Sequence, residues 1–204
     1  MNSSRPTSAQ AERCGHRLLA PAETHRLFFA LMPDTDTRRA MEHAATHVQQ
    51  QQSGLRARWV RPERFHATLI FLGDYPAVPD ELVENAMAAA GYVSAAPFAW
   101  TLDYVASFRG REPPCVLRSA QVAEALILLW RTLQESLTQS GLHLRRERQF
   151  TPHVTLAYAR CELAEAIAVA PPIVWPVDRF VLIHNVVGKG NYQVLGNWKL
   201  SGES

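Results

Sequence analysis

Two four-residue segments of the chain combine a histidine, a threonine and a leucine with identical spacing. They read HATL from His66 and HVTL from His153, and each lies inside an apolar run. A protein core needs no such triplet, and chance would rarely write it twice in one chain. On an extended strand side chains alternate between faces, so each motif would place its imidazole and hydroxyl on one face and its apolar residues on the other.

A pair of imidazoles is suited to displacement at phosphorus. One histidine can take a proton from the attacking oxygen while the other gives a proton to the leaving oxygen, because both can have a pKa near neutrality. The threonine hydroxyls can donate hydrogen bonds to the non-bridging phosphate oxygens, where charge is greatest in the transition state. This scheme requires neither a metal nor a cofactor. The predicted catalytic set is His66, Thr68, His153 and Thr155.

Structural and metal-binding roles are the alternatives for these motifs. A single histidine–threonine pair on a strand is more often structural than catalytic, but two copies at matching positions favour a site. Zinc is a sharper alternative, since histidine is a common ligand. No carboxylate or cysteine is regularly spaced around either motif, and threonine is a poor zinc ligand. His43 and His47 lie four residues apart but lack the glutamate and third ligand of a zinc motif, so we predict surface positions for them.

The predicted elements form a repeat that would bring the two motifs together. Their order is strand, helix, strands and helix, followed by strands, helix and strands, and each motif lies in the second half of one unit. We therefore expect two similar lobes that face each other. The predicted helices span residues 34–52, capped by Asp34 or Asp36, 79–91 and 122–141. The predicted strands span residues 25–33, 57–60, 65–73, 97–108, 113–120, 153–159, 173–187 and 191–200, the last two joined across a GKGN turn.

Composition and charge narrow the class of protein. The 204 residues are 47% hydrophobic and 20% charged, as in an ordinary globular protein. No apolar stretch is long enough to span a membrane, and the N-terminus has no secretory apolar segment. The three unclustered cysteines favour a reducing compartment, so we predict a cytoplasmic monomer without a membrane partner. A formal net charge of +2 is low for a protein that coats a nucleic-acid duplex, and it is compatible with a small anionic ligand or a nucleic-acid end without selecting either.

The segments around both motifs resemble the two-histidine phosphoesterases, and within them the bacterial RNA 2′,3′-cyclic phosphodiesterases, also called 2′–5′ RNA ligases. The segments are RLFFALMPD near the start, RWVRPERFHATLIFLGD around the first motif and RQFTPHVTLAYAR around the second. The resemblance implies a bilobal α+β fold, with two antiparallel sheets related by a pseudo-two-fold repeat around a central cleft and helices on the outer faces. Residues 1–24 are polar and aperiodic, so we predict a disordered N-terminal extension before a single bilobal domain over residues 25–204.

The resemblance also implies a reaction and roles for the motif residues. Water would open a 2′,3′-cyclic phosphate at an RNA 3′ end, or on a small cyclic nucleotide, and leave a 2′-phosphate. Some members also join tRNA halves reversibly through a 2′–5′ bond, without ATP. His66 would protonate the departing 3′-oxygen, His153 would activate the water, and the two threonines would hold the phosphate oxygens. Ligation run in reverse would exchange the roles of the histidines.

The sequence departs from the family where the substrate would be held. The family commonly has arginine two residues after the leucine of the second motif, and this chain has Tyr158 there. Arg160, two residues further on, could supply the charge; alternatively, Tyr158 could stack on a base. Phe71 holds the matching place after the first motif, but strict alternation puts it on the face opposite His66, so a strand end or bulge is required. The predicted substrate-binding set is Phe71, Tyr158, Arg148, Phe150 and Arg160.

Two other functions are compatible with this sequence. A relative that acts on another cyclic nucleotide or on a 2′–5′ oligonucleotide would need the same four motif residues. A non-catalytic module that binds RNA ends would need positive charge more than proton donors, and two intact motifs therefore argue against it.

Overall fold

The computed structural model describes residues 23–142 and 149–202, which form helices α1–α3 and strands β1–β9. The helices are α1 (Thr35–Gln51), α2 (Asp80–Gly91) and α3 (Glu124–Gln139), and a single 3-10 turn covers Pro62–Arg64. The strands are β1 (His25–Leu31), β2 (Ala57–Trp59), β3 (Ala67–Tyr75), β4 (Phe98–Ser107), β5 (Pro114–Arg118), β6 (Val154–Ala159), β7 (Ile167–Val177), β8 (Arg179–Val186) and β9 (Tyr192–Lys199).

All nine strands pair antiparallel in two sheets, which confirms the predicted α+β class. The four-stranded sheet has the order β3-β1-β8-β9, and the five-stranded sheet has the order β2-β6-β5-β4-β7. One motif lies in each sheet, because β3 follows His66 and β6 follows His153. None of the described helices combines the length and apolar character needed to cross a membrane.

The two sheets do not consist of consecutive halves of the chain. Strand β2 comes from the first half but pairs with β6 in the five-stranded sheet. The segment 173–187, predicted as one strand, is divided at Asp178 between β7 and β8, which lie in different sheets. The β7 strand contains several prolines and is an edge strand, where a missing backbone donor is tolerated. The predicted hairpin of the last two strands is confirmed as β8 and β9.

The three predicted helices are confirmed, and their ends follow from local chemistry. Asp34 is the N-cap of α1, since its carboxylate accepts a hydrogen bond from the Thr37 N–H at 2.7 Å. Gly141 follows α3 with φ +79°, a backbone conformation that glycine adopts without strain. The buried face of α1 comprises Thr37, Met41, Ala44, Ala45 and Val48.

One hydrophobic core joins the helices to both sheets. It includes Leu69 and Leu156 of the two motifs together with the buried faces of α1, α2 and α3. The helices thus cover the sheet faces opposite the His–Thr faces, and the motif leucines anchor each strand from behind.

Most of the predicted N-terminal extension and the whole segment containing Arg148 lie outside the described residues. Of residues 1–24, Glu23 and Thr24 are described. The Thr24 carbonyl accepts a hydrogen bond from the Val187 N–H at 2.8 Å, and the Glu23 carboxylate pairs with the Lys189 ammonium at 2.5 Å. Glu23 and Thr24 thus contact the turn between β8 and β9.

Candidate active site

Both motifs line a single cavity of about 670 Å³ between the two sheets. His66 and Thr68 reach it from the start of β3, and His153 and Thr155 reach it from the start of β6. All four residues are partly buried. The fold therefore brings two imidazoles and two hydroxyls, separated widely in sequence, to the wall of one small volume.

The backbone fixes both imidazoles in the same way. His66 Nδ1 lies 2.8 Å from the Arg64 carbonyl, and His153 Nδ1 lies 2.8 Å from the Thr151 carbonyl. A carbonyl oxygen only accepts, so each Nδ1 carries the proton that it donates. In the neutral ring Nε2 then holds the lone pair, and it remains available to a ligand in the cavity.

A β-bulge follows the threonine in each motif strand. In β3, Thr68 pairs with Ala30 and Ile70 with Phe29, which leaves Leu69 as the extra residue. In β6 the same shift occurs at Leu156, and the pairs on either side are Thr155 with Val116 and Ala157 with Cys115. A bulge changes which later residues share a face with the threonine.

These bulges place the two predicted aromatic residues on the cavity face. Phe71 and Tyr158 each stand five residues after a motif histidine, and both line the cavity, with 47% and 37% of their surface exposed. The bulge that the position of Phe71 required is therefore present. The motif repeat extends beyond HxTL to the aromatic residue that follows it.

An arginine from the neighbouring strand stands over each aromatic ring. The guanidinium of Arg26 on β1 lies 5.6 Å from the centre of the Phe71 ring, and that of Arg58 on β2 lies 4.8 Å from the centre of the Tyr158 ring. Arg26 also forms two 2.8 Å hydrogen bonds with Asp74. Arg58 faces Tyr158 directly in the β2–β6 register, so a guanidinium lies beside the position where the family commonly has arginine.

The surroundings of the two histidines differ. The His66 ring lies 5.1 Å from Phe28 and 5.3 Å from Tyr192, whose hydroxyl is 3.4 Å from Nδ1. His153 contacts Phe108 edge to face at 4.9 Å. Tyr192 and Phe28 line the cavity and were missed by the sequence reasoning. Phe28 lies in an apolar segment and Tyr192 just after a turn, and no local signal distinguishes either residue.

Burial lowers the pKa of both imidazoles. It lowers the pKa of His66 to about 4, against the opposing effect of the Arg64 carbonyl, and the charges of Arg64 and His153 lower it further. Burial also lowers the pKa of His153. The hydrogen bond to the Thr151 carbonyl acts in the opposite direction and raises this pKa, whereas the charge of Arg118 lowers it further. An anionic phosphate in the cavity would raise both pKa values, because it stabilises the imidazolium form.

The cavity wall is cationic. Five basic side chains line it and, among the described residues, no carboxylate does. Arg61 and Arg64 donate hydrogen bonds to the Gly190 carbonyl at 2.6 Å and 3.1 Å, which ties the β8–β9 turn to the cavity rim. The GKGN segment is thus a hairpin turn, as predicted. The five basic side chains are Arg26, Arg58, Arg61, Arg64 and Lys189. Such a wall favours an anionic ligand.

Two further predicted substrate-binding residues, Phe150 and Arg160, do not line this cavity. Phe150 stacks on Trp130, with ring centres 5.1 Å apart and planes 6° from parallel, and it packs against the hydrophobic core. Arg160 lines a neighbouring cavity of about 390 Å³. Arg148 lies outside the described residues, so the structure does not place it.

Metal ligands are not grouped in the part of the chain that the structure describes. That part contains no cluster of three or more histidine, cysteine, aspartate or glutamate side chains that could hold an ion. His43 and His47 are exposed on α1, at the surface positions predicted for them.

Known proteins resemble this chain in sequence and in fold. The family described as the 2'-5' RNA ligase superfamily matches residues 33–189. An RNA 2',3'-cyclic phosphodiesterase of Thermus thermophilus is 30% identical over 192 residues, which cover 87% of this chain and 91% of that protein. An enzyme of the same name from Geobacillus stearothermophilus is 37% identical over 100 residues, which cover 48% of this chain and 31% of that protein. The crystal structure of E. coli LigT complexed with 3'-AMP superimposes with a TM-score of 0.72 at 27% identity, over 88% of this chain and 99% of that one.

Proposed function

Because the chain belongs to the 2'-5' RNA ligase superfamily, we propose that it hydrolyses the 2′,3′-cyclic phosphate at RNA 3′ ends to a 2′-phosphate, without a metal. One observation carries the proposal: two imidazoles, each held at Nδ1 by a backbone carbonyl, and two threonine hydroxyls line one cationic cavity. The names of the Thermus and Geobacillus relatives support the substrate class.

The proposed mechanism uses the two Nε2 atoms in opposite directions. His153 Nε2 accepts a proton from the water that attacks phosphorus, and a new P–O bond forms. The P–O3′ bond breaks, and protonated His66 Nε2–H gives its proton to the departing 3′-oxygen. The phosphate stays on the 2′-oxygen. Exchange with solvent then restores the starting protonation of both rings.

The threonines and the basic wall act on the phosphate itself. The hydroxyls of Thr68 and Thr155 donate to the two non-bridging oxygens, whose charge grows as water attacks. These donors are held on strands and do not have to reorganise during the reaction. The basic side chains around them supply charge that a metal ion would otherwise supply.

The proposed acid must hold a proton while the substrate is bound. In the free protein burial lowers the pKa of His66 to about 4, so the ring is largely neutral near pH 7. The cyclic phosphate carries one negative charge, and its contact with Nε2 raises this pKa in the complex. Substrate binding and protonation of His66 are thus coupled.

The first test is hydrolysis of a short RNA that ends in a 2′,3′-cyclic phosphate, with excess EDTA present. Wild type should release the 2′-phosphate, and His66→Ala and His153→Ala should each lower kcat by about 10²–10⁴-fold. His43→Ala is the matched control, since that side chain is exposed on α1, away from the cavity. EDTA-sensitive turnover, a 3′-phosphate product or full activity in either active-site variant would contradict the mechanism. A folded wild type that binds the RNA end without turnover would instead indicate a binding module.

A further inference from the structure

A second cavity of about 390 Å³ continues from the first. The two cavities share Arg58 and Tyr158, and the second is also lined by Arg56, Arg160 and Glu112. We call the surface formed by Arg56, Arg58 and Arg160 the arginine groove. It begins at the wall of the candidate active site and leads away from it along the β2 edge of the five-stranded sheet.

The pairing of β2 with β6 assembles this groove. Arg58 faces Tyr158 in the register, and the Arg160 N–H donates a hydrogen bond to the Arg56 carbonyl at 3.0 Å. Side chains two residues apart on a strand share a face, so Arg56 and Arg58 project with Tyr158 and Arg160. Two segments that are far apart in sequence thus bring three arginines to one surface, which Glu112 also lines.

The charges of the groove are available to a ligand. All three arginines are exposed, and within the described residues none of them forms an ion pair. Arg26, which stands over the aromatic ring that follows the other motif, is instead paired with Asp74. A guanidinium presents a planar set of donors that matches the oxygens of a phosphate.

We propose that the arginine groove binds the phosphodiester backbone of the RNA chain that leads to the cyclic end. This inference rests on the proposed function and specifies its substrate as an RNA chain rather than a free cyclic nucleotide. The terminal phosphate occupies the cavity between the histidines, Tyr158 stacks on a base, and the preceding phosphates lie along Arg58 and then between Arg56 and Arg160. Basic side chains that follow a backbone beside an aromatic platform are the usual means of holding single-stranded nucleic acid.

A nucleotide polyphosphate offers the same phosphate chemistry as an RNA chain. Two features favour the chain. The groove is continuous with the cavity that would hold the RNA end, and Tyr158 separates the two groups of charges by an aromatic surface. The experiment therefore varies the number of nucleotides before the reacting phosphate and keeps the terminal nucleotide constant.

The test compares substrates of one, two and six nucleotides, all ending in the same nucleoside 2′,3′-cyclic phosphate. For wild type we expect kcat/KM to rise with length. In the double variant Arg56→Gln/Arg160→Gln the ratio of kcat/KM for the hexanucleotide to that for the mononucleotide should fall about tenfold. The control is Arg131→Gln, which removes an exposed arginine of α3 that lines neither cavity. It should keep the wild-type ratio.

Salt dependence separates a phosphate contact from a structural effect. Each lost contact to a single strand should reduce the slope of log kcat/KM against log salt by about 0.7, so the double variant should show a hexanucleotide slope shallower by about 1.4. Arg56→Lys/Arg160→Lys keeps both charges and should restore the slope. An unchanged slope in the glutamine double variant would contradict the proposal that the arginine groove binds the RNA backbone. So would a wild-type kcat/KM that does not depend on substrate length. Inhibition by a nucleoside triphosphate without any length effect would assign the groove to polyphosphates.

Failure of the proposed function is distinguishable from failure of the groove. If wild type hydrolysed none of the three substrates, the proposed function would fail. Binding of a fluorescent hexanucleotide with a terminal 2′-phosphate, measured by anisotropy, would still test whether the arginine groove binds RNA. Weaker binding by the glutamine double variant but not by Arg131→Gln would support the groove, and equal binding by all three proteins would reject it.

Discussion

The two motif regions have the same backbone and different surroundings. In each, a histidine donates from Nδ1 to the carbonyl two residues before it, and a bulge follows the threonine. In each, an arginine from the neighbouring strand stands over an aromatic ring at the fifth position after the histidine. The repeat thus supplies two equivalent sets of groups.

The surroundings then make the two regions unequal. His66 is enclosed by Phe28 and Tyr192, its pKa is about 4, and the nearby Arg26 is paired with Asp74. The region of His153 leads through Arg58 into the arginine groove. The proposed polymeric substrate needs one open side. The region of His153 provides it, which the repeat alone does not.

The largest expected effect concerns the leaving group. With a substrate whose 3′-oxygen is replaced by sulfur, departure needs little protonation, because a thiolate is a far weaker base than an alkoxide. His66→Ala should then recover most of its loss of about 10²–10⁴-fold in kcat, whereas His153→Ala should not. Single-turnover rates on the oxygen and sulfur substrates measure this. If only His153→Ala recovered activity on the sulfur substrate, His153 would be the acid and His66 the base.

The threonines test whether the symmetry of the motifs persists in the transition state. Thr68→Val and Thr155→Val keep a branched side chain on the strand and remove only the hydroxyl donor. Each should lower kcat by about 10²–10³-fold, with similar factors and little change in KM, because the two hydroxyls are equivalently placed. Steady-state kinetics on the RNA substrate provide the comparison. A variant with wild-type kcat would show that its hydroxyl does not contact the reacting phosphate.

The two aromatic residues should differ in their dependence on chain length. Tyr158 lies between the cavity and the arginine groove, whereas Phe71 lines only the cavity. Loss of a base-stacking contact costs about 1–3 kcal/mol. Tyr158→Ala should therefore raise KM about tenfold or more for a hexanucleotide and much less for a cyclic mononucleotide, while Phe71→Ala should affect both alike. Equal length profiles for the two variants would remove the assignment of Tyr158 to the RNA chain.

The smallest expected effect is on stability at acid pH. The pKa of His66 is about 4 in the folded protein against an ordinary value of 6.5. Between pH 4 and pH 6.5 this residue therefore binds more protons in the unfolded chain than in the folded protein. The free energy of unfolding is therefore not reduced by His66 above pH 6.5, and it decreases as the pH falls from 6.5 towards 4. At pH 5 the loss from His66 should be about 2 kcal/mol.

Urea unfolding at pH 7.5 and pH 5 tests this loss. His66→Gln should lose less stability between the two pH values than wild type, because it lacks the buried ring. The exposed His43→Gln serves as the control and should behave as wild type. An identical loss in His66→Gln and wild type would mean that His66 is not buried enough to shift its pKa.

Local features of the chain predicted much of this molecule. The three helices follow from apolar periodicity and from caps such as Asp34 and Gly141. The apolar residues of each HxTL motif anchor its strand in the core, as alternation requires. The types and spacing of the motif residues alone predict the four candidate catalytic residues. Each of these features depends on residues that lie within a few positions of one another, so it can be recognised directly in the sequence.

Long-range pairing decided the rest. Only the folded chain placed Arg58 opposite Tyr158, Tyr192 against His66, and Phe150 in the core on Trp130. The bulges at Leu69 and Leu156, which place Phe71 and Tyr158 on the cavity face, are likewise visible only in the strand register. Sheet order and register arise from packing between segments that are far apart in the chain, and residue types within one segment do not record them. The sequence by itself therefore determined the candidate catalytic groups, whereas the tertiary structure decided their surroundings and the position of the proposed arginine groove.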